Sequence, residues 1–155
     1  MNYIECPTEW NGSSTSLFLG GGITDCPDWQ QEVVRQLANK EAITKEALTI
    51  LNPRRNNFPI HDPAAANAQI EWEFWHLRVA TAILFWFPCE TLCPIVLYEL
   101  GAWSMTQKPL FVGVHPEYQR LQDVIIQTRL ARPDVKVVYS LEELAKQVLI
   151  WVDQL

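Results

Sequence analysis

Ala82-Ile83-Leu84-Phe85-Trp86-Phe87 is six apolar residues in a row, stopped by Pro88. A strand with one wet face alternates apolar and polar side chains. An unbroken run of this length therefore reads as a central parallel strand covered on both faces. Parallel neighbours need long crossovers, usually helices, and the flanking sequence supplies them. Upstream, Ile70, Phe74, Leu77 and Ala80 recur at helical spacing, predicting a helix over residues 64–79. Downstream, Thr91 is placed to cap a helix over residues 94–107, with Pro94 in its first turn, where a missing N–H is not needed.

The same alternation extends along the chain. Ser16-Leu17-Phe18-Leu19 is a short strand ended by Gly20-Gly21-Gly22, and Asp28 is a suitable cap for a helix over 29–39. Residues 47–51 read as a second strand ended by Asn52-Pro53, then a polar loop over 54–63. Residues 110–114 and 135–139 read as the fourth and fifth strands, with helical character over 117–130 between them. A capping box at Ser140-Leu141-Glu142-Glu143 opens the last helix. The expected fold is α/β: a doubly wound, mainly parallel sheet of about five strands with helices on both faces. The expected organisation is a single domain over 16–155 preceded by an N-terminal extension, 1–15.

The totals narrow the function. At 155 residues, 48% hydrophobic and 19% charged, the chain can bury one substantial core. A net charge of −6 without a basic run argues against a nucleic-acid polymer as partner, since phosphate binding needs a positive footprint. No apolar run reaches the ~20 residues of a membrane span, and the N-terminal residues lack the pattern of a secretion signal, so a cytoplasmic location is expected. Four cysteines (Cys6, Cys26, Cys89, Cys93) form no CxxC pair and read as reduced. Cys89 and Cys93 invite a metal, but no cluster in the sequence completes a ligand set, so none is expected.

Ligands of such sheets bind outside the carboxyl ends of the strands. That rule gathers residues 20–25, 52–62, 88–99 and 115–123 on one rim. The glycine run is neither GxGxxG nor a Walker loop, and it reads either as a plain tight turn or as a close approach to ligand. Glu99 lies in the otherwise apolar Val96-Leu97-Tyr98-Glu99-Leu100-Gly101-Ala102. It is either a solvated side chain between core residues or a carboxylate held for use, because burying a lone charge is costly. Gly101 weakens its helix by about 1 kcal/mol relative to alanine, and a close approach there would explain it. Glu73 is three residues before His76 and can pair with it, whereas Glu71 faces elsewhere. Asn52, Arg54, Arg55 and Asp62 follow the second strand; the two arginines suit either an anion or a surface salt-bridge cluster. His61 and His115 have no partner pattern. No serine lies in GxSxG, so acyl transfer of the usual kind is disfavoured.

Taken in order, Ser16-Leu17-Phe18-Leu19-Gly20-Gly21-Gly22-Ile23, Asp28-Trp29-Gln30, Leu51-Asn52-Pro53-Arg54-Arg55, Gln69-Ile70-Glu71-Trp72-Glu73, Ile83-Leu84-Phe85-Trp86-Phe87 and Tyr98-Glu99-Leu100-Gly101 resemble the nucleoside 2-deoxyribosyltransferase-like proteins. The resemblance implies a flavodoxin- or Rossmann-like fold and transfer of a 2-deoxyribosyl, or ribosyl, group between nucleobases, with no cofactor or metal. It implies Glu99 as the nucleophile that forms a glycosyl-enzyme, with Glu73 positioning the substrate. Gly20, Gly21 and Gly22 line the pocket, with Asn52, Arg54 and Asp62 as further substrate contacts. The residue that handles the base is not evident in Cys89-Glu90-Thr91-Leu92-Cys93, where better-known members carry an aspartate. The partners implied are nucleosides, nucleobases and further copies of the chain, since family sites are completed by a neighbouring subunit; Asp123 is the residue that would reach across. The alternatives are an N-glycosidase of nucleosides or nucleotides using the same Glu99 with water, and a non-catalytic nucleotide-binding module.

Overall fold

The computed structural model describes residues 1–38, 48–59 and 61–155. In chain order the elements are β1 (Asn2–Glu5), β2 (Ser16–Gly21), α1 (Trp29–Ala38), β3 (Thr49–Asn52), α2 (Pro63–Val79), β4 (Ala82–Phe87), α3 (Pro94–Ser104), β5 (Leu110–Val114), α4 (Leu121–Ala131) and α5 (Leu141–Val152). All five strands are parallel, in the order β1-β3-β2-β4-β5. The expected α/β fold, with its doubly wound sheet, is the one observed.

Two faces of the sheet carry two cores. Phe18, Ile83, Phe85, Phe87, Val112 and Val114 pack with Trp72 and Leu77 of α2, Val96 and Leu100 of α3, and Val124 of α4. Leu17, Leu19, Leu84 and Trp86 point the other way, onto Trp29, Val33 and Leu37 of α1 and Leu144, Val148 and Val152 of α5. Every residue of β2 and β4 is buried, which is why neither strand alternates in sequence.

The strand count matches the expectation, but the membership differs. Residues 2–5, assigned in sequence to an extension, pair with β3 from Asn2↔Thr49 to Glu5↔Asn52. They form a short edge strand, half of it exposed, and so carry little apolar signal. Residues 135–139 contribute a single parallel bridge, Gly113↔Val138, and no strand. There Val138 exchanges backbone hydrogen bonds with Val112 and Val114, and the chain turns into α5 immediately after.

At helix starts, Asp28 and Ser140 act as expected, their side chains accepting from the backbone N–H of Gln31 and Glu143. Thr91 does not cap α3. The helix begins from Cys93, which adopts a left-handed conformation (φ 51°) with no side-chain cap. Asn39 and Ala47, at the predicted ends of the first helix and second strand, lie outside the described residues.

Candidate active site

From β2 the chain crosses to β3 on one side, then returns to place β4 on the other. The sheet therefore changes winding direction between β2 and β4, and a crevice opens at their carboxyl ends. A cleft of about 660 Å³ lies there, within the roughly 300–1,000 Å³ usual for small-molecule sites.

The glycine run forms one wall. A Cβ on Gly21 would collide with the Trp29 indole and the Trp86 carbonyl; one on Gly22 would press on Pro88, Thr91 and Cys93. Trp29 in turn donates from Nε1 to the Gly22 carbonyl at 2.8 Å, locking the turn. Packing alone therefore requires glycine at these positions, and Gly20, Gly21 and Gly22 also line the cleft. The left-handed Cys93 costs about 1–3 kcal/mol of backbone strain. It starts α3 beside the glycine turn and thereby brings Glu99 to the same space.

Glu73 from α2 and Glu99 from α3 both line the cleft, amid Phe18, Phe74, Leu77, Val96, Tyr98 and Trp103. Each is half-buried. Gln69, one helical turn before Glu73, donates from Nε2 to the Glu73 carboxylate and to the Pro53 carbonyl, both at 2.7 Å, while its Oε1 accepts from the Cys6 thiol at 3.0 Å. Burial raises the pKa of Glu73, and the Gln69 hydrogen bond opposes it. Among the described residues, no such donor reaches Glu99. Burial, reinforced by the charge of Glu73, pushes its pKa up to about 8. Two carboxyls with unequal support in a largely apolar cleft differ in how readily they ionise, which suits work at a centre that gains positive charge.

Other expected contacts are placed elsewhere: Asn52, Arg54, Asp62 and Asp123 are not among the residues lining the cleft. Asn52 is buried, donating to the Tyr3 hydroxyl and accepting from the Arg54 amide. Arg54 donates from Nη2 to the carbonyls of Ile23, Cys26 and Pro27, bracing the loop after β2. Asp62 caps α2 by accepting from the Ala64 amide. Asp123 pairs with Arg120 at 2.8 Å on the exposed face of α4. His76 does not pair with Glu73; its Nδ1 bonds to the Trp72 carbonyl at 2.7 Å and its ring stacks on that indole. Among the described residues, nothing outside its own helix backbone and chain neighbours lies within 4 Å of where a Cβ on Gly101 would sit. The residues that sequence reasoning left without a role are Gln69, detectable from its four-residue spacing to Glu73, and Arg78, a cleft-lining guanidinium over the Phe74 ring.

The family model described as nucleoside 2-deoxyribosyltransferase like matches residues 14–118. The chain belongs to this family. The matched span contains the glycine turn and both glutamates of the cleft. No curated protein matches the sequence. No helix among the described residues of this deoxyribosyltransferase-like protein is long and apolar enough to cross a membrane.

Proposed function

We propose that this protein transfers a 2-deoxyribosyl group between nucleobases, with Glu99 as nucleophile. The observation that supports this most is the pairing of Glu99 with Glu73 in an apolar cleft at the sheet's switch point. The Glu99 carboxylate attacks the anomeric carbon; the bond to the base nitrogen breaks, its electron pair leaves with the base, and a glycosyl ester forms. A second base attacks the same carbon and releases Glu99, so configuration is retained overall. Glu73, steadied by Gln69, positions the sugar. On this reading the enzyme is a homo-oligomer. The exposed Ile70, Phe74, Ile95 and Tyr98 at the cleft mouth suit contact with a second copy, and Asp123 serves the neighbour's site.

A chromatographic assay with a deoxynucleoside donor, with and without a second free base, tests the proposal. A new nucleoside formed only with the acceptor supports transfer. Free base without exchange identifies an N-glycosidase acting through the same carboxylate. Including a 5′-phosphate donor tests whether Arg78 recruits a nucleotide. Glu99→Ala is expected to fold and to lose activity by several orders of magnitude, as removal of a covalent nucleophile should. Undiminished turnover in that variant would overturn the mechanism. Ligand binding that survives Glu99→Ala, with no base released by wild type, would identify a binding module.

A further inference from the structure

We propose that Cys89, His115 and Glu117 form a binding site for one divalent transition-metal ion of the zinc class, on the sheet rim beside the cleft. A sulfur, an imidazole nitrogen and a carboxylate oxygen from these residues lie within 4.8 Å of one another. The juxtaposition follows from the sheet. Phe87 of β4 and Val114 of β5 are register partners, so the chain leaves both strands side by side. His115 N–H then donates to the Phe87 carbonyl at 2.9 Å, placing the imidazole beside Cys89. A tight turn follows, closed by the Tyr118 amide on the His115 carbonyl, and brings the Glu117 carboxylate near the imidazole.

The donor set selects the ion. Thiolate with imidazole prefers zinc-like cations over magnesium or calcium, and three protein ligands leave a tetrahedral position for water. The Glu117 amide donates to His115 Nδ1 at 3.1 Å, so that nitrogen turns its lone pair toward the amide. Ligation through either nitrogen releases this amide, because Nδ1 then carries either the ion or the ring proton. The loss is one hydrogen bond at an exposed amide that water can satisfy. Burial together with the charges of Glu90 and Glu117 raises the Cys89 pKa, so the thiol must give up its proton to buffer as the metal–sulfur bond forms. Those same negative charges favour a cation. Bound there, the ion ties the loop over residues 88–93 to the turn after β5. That loop carries Thr91 and Cys93 of the cleft wall, and the Tyr118 hydroxyl already donates to its Leu92 carbonyl at 2.6 Å.

The test is titration of the reduced full-length protein with cobalt(II), followed by its absorption spectrum. One equivalent is expected to produce a sulfur-to-metal charge-transfer band with tetrahedral visible bands, both abolished by one equivalent of zinc. Cys89→Ser should remove the charge-transfer band, and His115→Ala should weaken binding on the order of 100-fold or more. Cys26→Ser should leave both readings unchanged. Absence of the band in the folded wild type, or its survival in Cys89→Ser, would overturn the proposal. Should Cys89→Ser fail to fold by circular dichroism, undiminished affinity in His115→Ala decides against it alone.

Discussion

Glu99 projects from the middle of α3 into a cleft whose walls are largely apolar, where the charge acting on it is that of another carboxylate, Glu73. Both burial and Glu73 favour its protonated form, yet the proposed chemistry needs the anion. Activity in the absence of saturating substrate should therefore rise with pH and level off above about 8. Glu73→Gln removes the repelling charge, so the limb of the profile should move to lower pH even as turnover falls. A kcat/KM profile for both proteins checks this, and an unchanged limb would show that Glu99 is not the titrating group. Gln69 belongs to the same unit: its amide is the donor that keeps Glu73 the more acidic of the two.

At the scale of elements, α2 is the critical one, because it carries Gln69, Glu73 and Arg78 past the cleft. Its last carbonyls would otherwise lack partners. Lys108, from the loop before β5, donates from Nζ to the carbonyls of Leu77, Arg78 and Ala80 at 2.8, 2.7 and 2.6 Å, with its ammonium over the Trp103 ring. A cation at a helix C-terminus also opposes the helix dipole. Lys108→Met keeps the apolar stem and removes the ammonium. We expect a loss of about 1–2 kcal/mol and a Tm lower by about 2–6 °C in a thermal melt. An unchanged Tm would mean that water satisfies those carbonyls equally well.

For the whole molecule, the two glutamates imply that the site is maintained against stability. Both have pKa values raised by folding, so between about pH 4.5 and 8 the native state binds more protons than the unfolded chain. Stability from this source is full below the unfolded value and is lost as pH rises through the folded one. The ligand-free protein should be more stable at pH 5 than at pH 8. Glu99→Gln, which stays neutral, should recover on the order of 2–4 kcal/mol at pH 8. Urea midpoints of both proteins at the two pH values measure the effect; equal pH dependence in the two would refute it.

Much of this was legible in the residues. The unbroken run over 82–87, stopped by Pro88, reads as a strand covered on both sides because burial on both faces leaves no polar alternation, and the glycine turn and Glu99 stand out against apolar surroundings. Short-range signals of the same kind announce Asp28 and Ser140 as caps. What the sequence could not express is contact between distant segments. Asn2–Glu5 becomes a strand only because β3 offers it an edge, while residues 135–139, richer in β-branched side chains, find room for a single bridge. Arg54 meets carbonyls and not the cleft because the loop after β2 folds over it. Cys89 meets His115 and not Cys93 because parallel strands leave the sheet in register. Patterning determined which faces are buried; only the closed sheet, which fixes where each strand ends relative to its neighbours, decided which polar side chains share a site.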